Sequence, residues 1–189
     1  MNVTVFGKGN IGSAVGAQLE KAGNQVDYVT TEHKADTVAD LVILAVPYAA
    51  LASIAKEYQQ KFAGKTIVET TNPVNFKTFD SLDVPADSSA TAQLQADLPD
   101  SHVLKAFNTV FAANLASGKV GDNPVEVLTA GDNKDSKELL QKAFEGSDLD
   151  VVDAGSLRRA RELESIGFLQ MTLAVTKQIA WTGGFAVVK

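Results

Sequence analysis

Asn2-Val3-Thr4-Val5-Phe6-Gly7-Lys8-Gly9-Asn10-Ile11-Gly12 is the stretch from which the fold can be read. Val3, Val5 and Phe6 make a short buried strand. Gly7, Gly9 and Gly12 then form a G-x-G-x-x-G with no residue to spare, and Ile11, Val15, Leu19 and Ala22 recur at helical spacing. Strand, glycine turn and helix in that order are the context that makes this short pattern a dinucleotide site. Gly7 lets the chain turn sharply, Gly9 lets a pyrophosphate approach a backbone without Cβ, and Gly12 lets the helix pack closely on the strand. The N–H groups of the turn, around Asn10 and Ile11, point with the positive end of the helix at the phosphates.

The rest of the chain repeats the strand-to-helix alternation. Gly23-Asn24 stops the first helix, and Gln25 to Val29 is the second strand. Dinucleotide folds select their cofactor at the end of that strand, where an NAD enzyme carries Asp or Glu for the ribose 2′-hydroxyl. Here Thr30 takes that position, followed by Thr31, Glu32, His33 and Lys34. Thr30 and Thr31 can donate to a 2′-phosphate, and His33 and Lys34 can add positive charge, so NADP is favoured over NAD. Glu32 opposes that reading, and no arginine is present for bidentate contact.

Only 31–40 separates this strand from the next, too short for more than one or two helical turns. Leu41 to Val46 is a continuous apolar run, as in a central parallel strand covered on both faces. Strand C-termini line the ligand crevice in such sheets, which places Val46, Pro47 and Tyr48 beside the cofactor. Tyr48 either stacks on a ring or caps the next helix, whose apolar face is Leu51, Ile54, Ala55, Tyr58 and Phe62. Thr66 to Thr70 is a fourth strand closing on Thr71-Asn72-Pro73, and the Asn72 amide either bonds the nicotinamide or ribose or organises the turn.

Residues 76–86 read as a loop over the site. A helix capped by Asp87 or Ser88 runs through about Leu98. His102 to Ala106 is the fifth strand, 114–123 a glycine-bearing connection, and Val125 to Thr129 a sixth strand. A helix bearing Leu139, Leu140, Ala143 and Phe144 precedes a last strand, Leu149 to Val152. The tail is helical and, from Leu163, apolar around much of its surface. It either packs on its own sheet and a partner subunit or closes a substrate pocket. The expected architecture is α/β, a Rossmann-type doubly wound, mainly parallel sheet with a C-terminal helical tail. Residues 1–155 form the NAD(P)-binding domain, and 156–189 the tail.

Composition excludes several chemistries. The 189 residues contain no cysteine, which removes disulfides, zinc–thiolate sites, iron–sulfur clusters and cysteine nucleophiles, and fits a reducing cytoplasm. No metal site is expected. The net charge of −6 disfavours nucleic acid. No apolar run reaches the length of a membrane span, and no signal peptide is expected of a chain that enters a strand at once. The two histidines, His33 and His102, are poorly placed as catalytic acids. Tyr48, Lys105 and Asn108 are the remaining proton donors for a carbonyl substrate, none of them compelling. No catalytic residue is assigned.

At Lys105-Ala106-Phe107-Asn108-Thr109 a family resemblance enters. Together with the glycine loop, Val46-Pro47, Thr71-Asn72-Pro73, Asp153-Ala154-Gly155 and Gly183-Gly184-Phe185, this run resembles the coenzyme F(420)-dependent NADP oxidoreductases. These are small Rossmann proteins that pass hydride between NADPH and a 5-deazaflavin. The resemblance covers essentially the whole chain. It implies that the glycine loop binds pyrophosphate, that the residues after the second strand bind the 2′-phosphate, and that Val46-Pro47 and Ala106-Phe107-Asn108 flank the nicotinamide. It implies a deazaflavin or flavin as co-substrate, and a homodimer contact through the C-terminal helices. The chain departs from the family where a serine followed by arginines is expected: Thr30 matches the serine, but Thr31 and Glu32 replace the arginines. A hydride acceptor with a conjugated ring needs no strong acid, which suits this sequence. The competing readings are a non-catalytic NADP(H)-binding sensor and a small-carbonyl reductase.

Overall fold

A computed structural model describes residues 1–188. Its order begins β1 (Asn2–Phe6), α1 (Asn10–Lys21), β2 (Gln25–Val29), β3 (Leu41–Leu44), α2 (Leu51–Phe62), β4 (Thr66–Glu69), α3 (Ala90–Asp97) and β5 (His102–Lys105). It continues with α4 (Ala112–Ser117), β6 (Lys119–Val120), β7 (Asn123–Thr129), α5 (Lys134–Phe144), β8 (Leu149–Asp153) and α6 (Ala160–Val175). Five parallel strands lie in the order β2-β1-β3-β4-β5. Lys105 and Ala130 then exchange backbone hydrogen bonds of 2.9 and 3.0 Å, an antiparallel bridge that brings β7, with β8 parallel to it, against β5. The expected α/β doubly wound, mainly parallel sheet is present.

The four residues of β3 are all buried, and they alternate between two cores. Leu41 and Ile43 join Val15 and Leu19 of α1 and Leu140 and Phe144 of α5. Val42 and Leu44 join Tyr58 and Phe62 of α2 and Leu94 of α3. An apolar run without alternation thus records a strand covered on both faces.

The short link from β2 to β3 contains no helix. Ala35 and Val38 pack on the second core in its place, and the Ala39 N–H donates to Thr4 Oγ1 at 2.9 Å. Two local expectations are corrected. α3 is capped by Ser89, whose hydroxyl accepts from the Ala92 N–H, and not by Asp87 or Ser88. The stretch 114–123 is not a plain connection, because α4 and β6 fall across it. α4 has no side-chain cap at its start. Its last carbonyls, Leu115 O and Ala116 O, accept from Gln18 Nε2 of α1, a partner 97 residues away that local sequence does not reveal.

α6 buries Leu163, Gly167, Gln170 and Ala174 but leaves Leu169 and Val175 exposed. The chain beyond it is pinned back. Asn114 Nδ2 donates to Thr182 O at 2.8 Å, and the Phe185 N–H donates to Gln170 Oε1 at 3.0 Å. No helix among the described residues is long and apolar enough to cross a membrane.

Candidate active site

The strand C-termini open into one cavity of about 760 Å³. Its floor is the glycine loop (Gly9, Asn10, Ile11), the segment after β3 (Ala45 to Tyr48), that after β4 (Thr70 to Asn72) and that after β5 (Phe107, Asn108, Val110). Phe76, Phe111, Met171 and Trp181 close the sides. Among the described residues no charged side chain lines it.

The three glycines do different things. Gly7 has φ +91°, and a Cβ there would lie 2.3 Å from Ala45 O. A Cβ on Gly12 would lie 2.1 Å from Gly7 O, so that residue sets how closely α1 approaches β1. Gly9 has no atom within 4 Å of an ideal Cβ, although it borders the cavity. Its emptiness is space for a ligand. Gly9 is also the N-cap of α1, makes no side-chain cap and is followed by no acidic residue in the first turn. The free N–H groups and positive dipole end therefore face the cavity uncompensated, an arrangement that fits a pyrophosphate.

The part of the floor after β4 and β5 is built from two asparagines. Asn72 Nδ2 donates to Asn108 O at 2.8 Å, and Asn108 Nδ2 returns a bond to Asn72 Oδ1 at 2.8 Å. Asn108 Nδ2 also donates to Leu163 O at 2.9 Å, which ties the clasp to α6. Gly167 makes the approach possible, since a Cβ there would lie 2.3 Å from Asn72 Oδ1. Asn72 thus organises the site by holding Asn108. Phe107, between strand and clasp, has φ +67° and no exposed surface. Its ring is 5.3 Å from that of Phe144. A bulky residue at positive φ is held there only by surrounding packing, and such outliers gather at functional sites.

Behind this floor lies a charged cluster with no exposed side-chain surface. Lys105 Nζ donates to Glu69 Oε2 at 2.5 Å and to Thr71 O at 2.6 Å, and pairs with Glu164 Oε1 at 2.9 Å. Glu69 and Lys105 face each other in the β4–β5 register. Glu69 also accepts from the Thr71 N–H and from Thr91 Oγ1, and Glu164 from the Ala90 N–H at the start of α3. Burial pushes the Glu164 carboxyl above the ordinary carboxylate range, and the Glu69 charge pushes the same way. The Lys105 ammonium and the Ala90 N–H offset part of this.

Of the residues singled out in the sequence, Gly9, Asn10, Ile11, Val46, Pro47, Tyr48, Asn72, Phe107 and Asn108 come together around the cavity. Gly7 and Gly12 support the loop from behind, and Ala106 is buried beneath it. Thr30, Thr31, His33 and Lys34 lie outside the cavity, on the chain after β2. The Thr30 N–H donates to His33 O at 2.9 Å, and Thr30 Oγ1 accepts from the His33 N–H at 3.1 Å, a closed turn. The Lys34 ammonium is held by both oxygens of Glu57 on α2, at 2.9 and 3.1 Å, and is not free at the β2 end.

Two proton-donor candidates are engaged elsewhere. Lys105 is used up by its three acceptors and does not line the cavity. The Tyr48 hydroxyl donates to Gln93 Oε1 at 2.9 Å. Burial, then the charges of Glu164, Asp83 and Glu69, raise its pKa. Tyr48 opens a single 3₁₀ turn leading into α2 while its ring borders the cavity. Sequence reading placed Phe76 in a loop over the site and Met171 and Trp181 in a tail that either closes a pocket or packs on a partner, without singling them out, and missed Phe111 and Glu164. The first four carry no motif. Glu164 had a signal: a carboxylate inside the apolar part of the tail that begins at Leu163, matching the charges that end β4 and β5.

No protein-family model matches the chain. Curated relatives bear out the resemblance. The chain is 29% identical over 172 residues to an F(420)-dependent NADP reductase of Methanocaldococcus jannaschii, covering 87% of this chain and 76% of that protein. It is 28% identical over 160 residues to another of the same name from Methanothermobacter marburgensis, covering 81% and 70%. A crystal structure of a candidate F(420)-dependent NADP reductase from Arthrobacter superimposes over 100% of both chains, with a TM-score of 0.84 and 23% identity, and so shares the fold.

Proposed function

We propose that this relative of the F(420)-dependent NADP reductases is an NADP-dependent oxidoreductase that passes hydride between NADPH and a planar, deazaflavin- or flavin-like acceptor. One observation carries the reading: the open Gly9 loop runs directly into an uncharged, aromatic-sided chamber in which, among the described residues, the one titratable lining side chain, Tyr48, is committed to Gln93. A carbonyl substrate needs a proton delivered to its developing alkoxide. A conjugated ring spreads the incoming charge and takes its proton from solvent.

When bound, the reduced nicotinamide supplies the hydride. The chain's own residues bind and align. The N–H groups of Asn10 and Ile11 hold the pyrophosphate, Val46, Pro47 and the Asn72–Asn108 clasp border the nicotinamide, and Ala106 backs Phe107. Phe76, Phe111, Met171 and Trp181 wall the acceptor. Such alignment supplies roughly 7–11 kcal/mol of rate enhancement. On this reading Thr30, Thr31 and His33 serve the 2′-phosphate, and Lys34 reaches it only by leaving Glu57.

Residues 1–155 act as the nucleotide-binding domain and 156–189 as the tail that completes the acceptor side. The exposed Leu169, Val175, Trp181 and Phe185 suit a homodimer contact. The cysteine-free sequence suits the cytoplasm. The test is NADPH consumption, followed optically, against FMN, a deazaflavin, a quinone and small carbonyls, with NADH in parallel. Turnover with a planar acceptor and not with carbonyls supports the reading. Tight NADPH binding without turnover replaces it with the redox-sensor reading, and turnover with carbonyls alone refutes it.

A further inference from the structure

The cation expected to meet the 2′-phosphate, Lys34, is taken by Glu57, and Glu32 adds a carboxylate to the same stretch. A second lysine reaches this end of the site from the other side. The Gly7 N–H donates to Val29 O at 2.8 Å, which ties the residue before Lys8 to the residue before Thr30. The Lys8 carbonyl accepts from Ser13 Oγ at 3.1 Å, so its backbone is tied to α1. Its ammonium stands 4.7 Å from the centroid of the Tyr28 ring. Tyr28 is itself wedged against α1, since a Cβ on Gly16 would lie 1.9 Å from its hydroxyl. Lys8 is exposed, and among the described residues it makes no ion pair.

We propose that Lys8 determines cofactor choice: perched on Tyr28 beside the end of β2, its ammonium takes the 2′-phosphate of NADPH, with the Thr30 and Thr31 hydroxyls as neutral donors. This rests on the NADPH reading above and moves the phosphate-binding charge from the loop after β2 into the glycine loop. A cation–π perch suits the task. It holds the ammonium in place without neutralising it, whereas a carboxylate partner such as Glu57 would compete with the phosphate. Lys serves as a point charge where the fork of an arginine is lacking. NADH has no phosphate at this position, so Lys8 contributes little to its binding.

The test is titration of the whole protein with NADPH and with NADH, followed by nucleotide fluorescence, for wild type, Lys8→Met, Lys8→Arg and Lys34→Ala. Methionine keeps an unbranched stem over Tyr28 and removes only the charge. Lys8→Met should weaken NADPH by about tenfold or more, the loss of one charge-assisted contact, and move NADH by no more than about twofold. Lys8→Arg should retain selectivity. Equal weakening of both nucleotides by Lys8→Met overturns the assignment and gives Lys8 to the pyrophosphate or the loop. Loss of selectivity in Lys34→Ala but not in Lys8→Met returns the role to Lys34. A wild type that binds both nucleotides equally, or neither, refutes the NADPH reading itself. A selective wild type unmoved by Lys8→Met refutes this proposal alone.

Discussion

Replacing Lys105 by methionine isolates the energetics of the buried cluster. The ammonium is fully enclosed, and it is the counter-ion of two carboxylates that are equally enclosed. Removing one partner of such a cluster costs about 3–5 kcal/mol. An independent bound comes from protonation. A glutamate of ordinary pKa near 4.3 can be neutralised at pH 7 for about 3.7 kcal/mol, at about 1.36 kcal/mol per pH unit. Glu164, already pushed up by burial and bonded, among the described residues, by the Ala90 N–H apart from Lys105, is the group expected to take a proton. Glu69 would still lack its counter-ion after that protonation, so the loss should be about 4 kcal/mol as for a broken buried pair, a large share of a typical 5–15 kcal/mol stability.

The sign of the pH dependence follows. In Lys105→Met the native state holds a proton that the unfolded chain has lost above its carboxylate pKa, so stability falls as pH rises. The deficit relative to wild type should therefore be smaller at pH 5 than at pH 7. Urea unfolding followed by circular dichroism at both pH values reads it. Glu164→Gln is the control. It retains an acceptor for Lys105 and leaves one ammonium with one carboxylate, so it should cost no more than about 1 kcal/mol at pH 7. It should also remove the share of wild-type stability that is lost as pH rises through the elevated Glu164 pKa. A Lys105→Met deficit below about 1.5 kcal/mol, or one that does not change between pH 5 and 7, refutes the idea that Lys105 compensates buried charge.

Gly9→Val places a side chain where nothing lies within 4 Å, at φ −77°, which any residue adopts. Stability by thermal melting should stay within about 0.5 kcal/mol while NADPH binding in the titration above is lost. Gly167→Ala should improve helix propensity by about 1 kcal/mol, yet its Cβ would strike the Asn72–Asn108 clasp. A net destabilisation of about 1–3 kcal/mol with reduced turnover is expected, and an unchanged or more stable, fully active variant counts against the clasp. Leu169→Glu lies on the exposed face of α6. Sedimentation should show wild-type dimers and mutant monomers, and monomers in both remove the dimer reading.

Much of the scaffold was legible in linear order. β2 was read residue for residue, and the helix after Pro47 was found by its apolar face, because strand and helix periods are local properties. The division of labour among Gly7, Gly9 and Gly12 was legible too, since the motif encodes a local turn, although the atom that Gly7 must clear, Ala45 O, comes from the end of β3. Less legible were features whose cause lies far along the chain. α4 is closed by Gln18, and the link after β2 is held by Thr4. The reading of Lys34 changed for the same reason: its partner Glu57 sits on a different helix, and an exposed lysine's composition says nothing about its neighbours.

The sequence by itself determined a parallel α/β sheet, a glycine loop of dinucleotide-binding type at its first turn, and a chemistry without thiols. Those depend on residue type, spacing and period, which survive in one dimension. Only the tertiary structure decided which charges are available. It buried Lys105 between Glu69 and Glu164, tied Lys34 to Glu57, and left Lys8 over the Tyr28 ring. A charge acts over a few ångströms of space, and the separations that set its partners, 36 residues for Lys105 and Glu69 and 23 for Lys34 and Glu57, exist only once the sheet has brought distant strands and helices together.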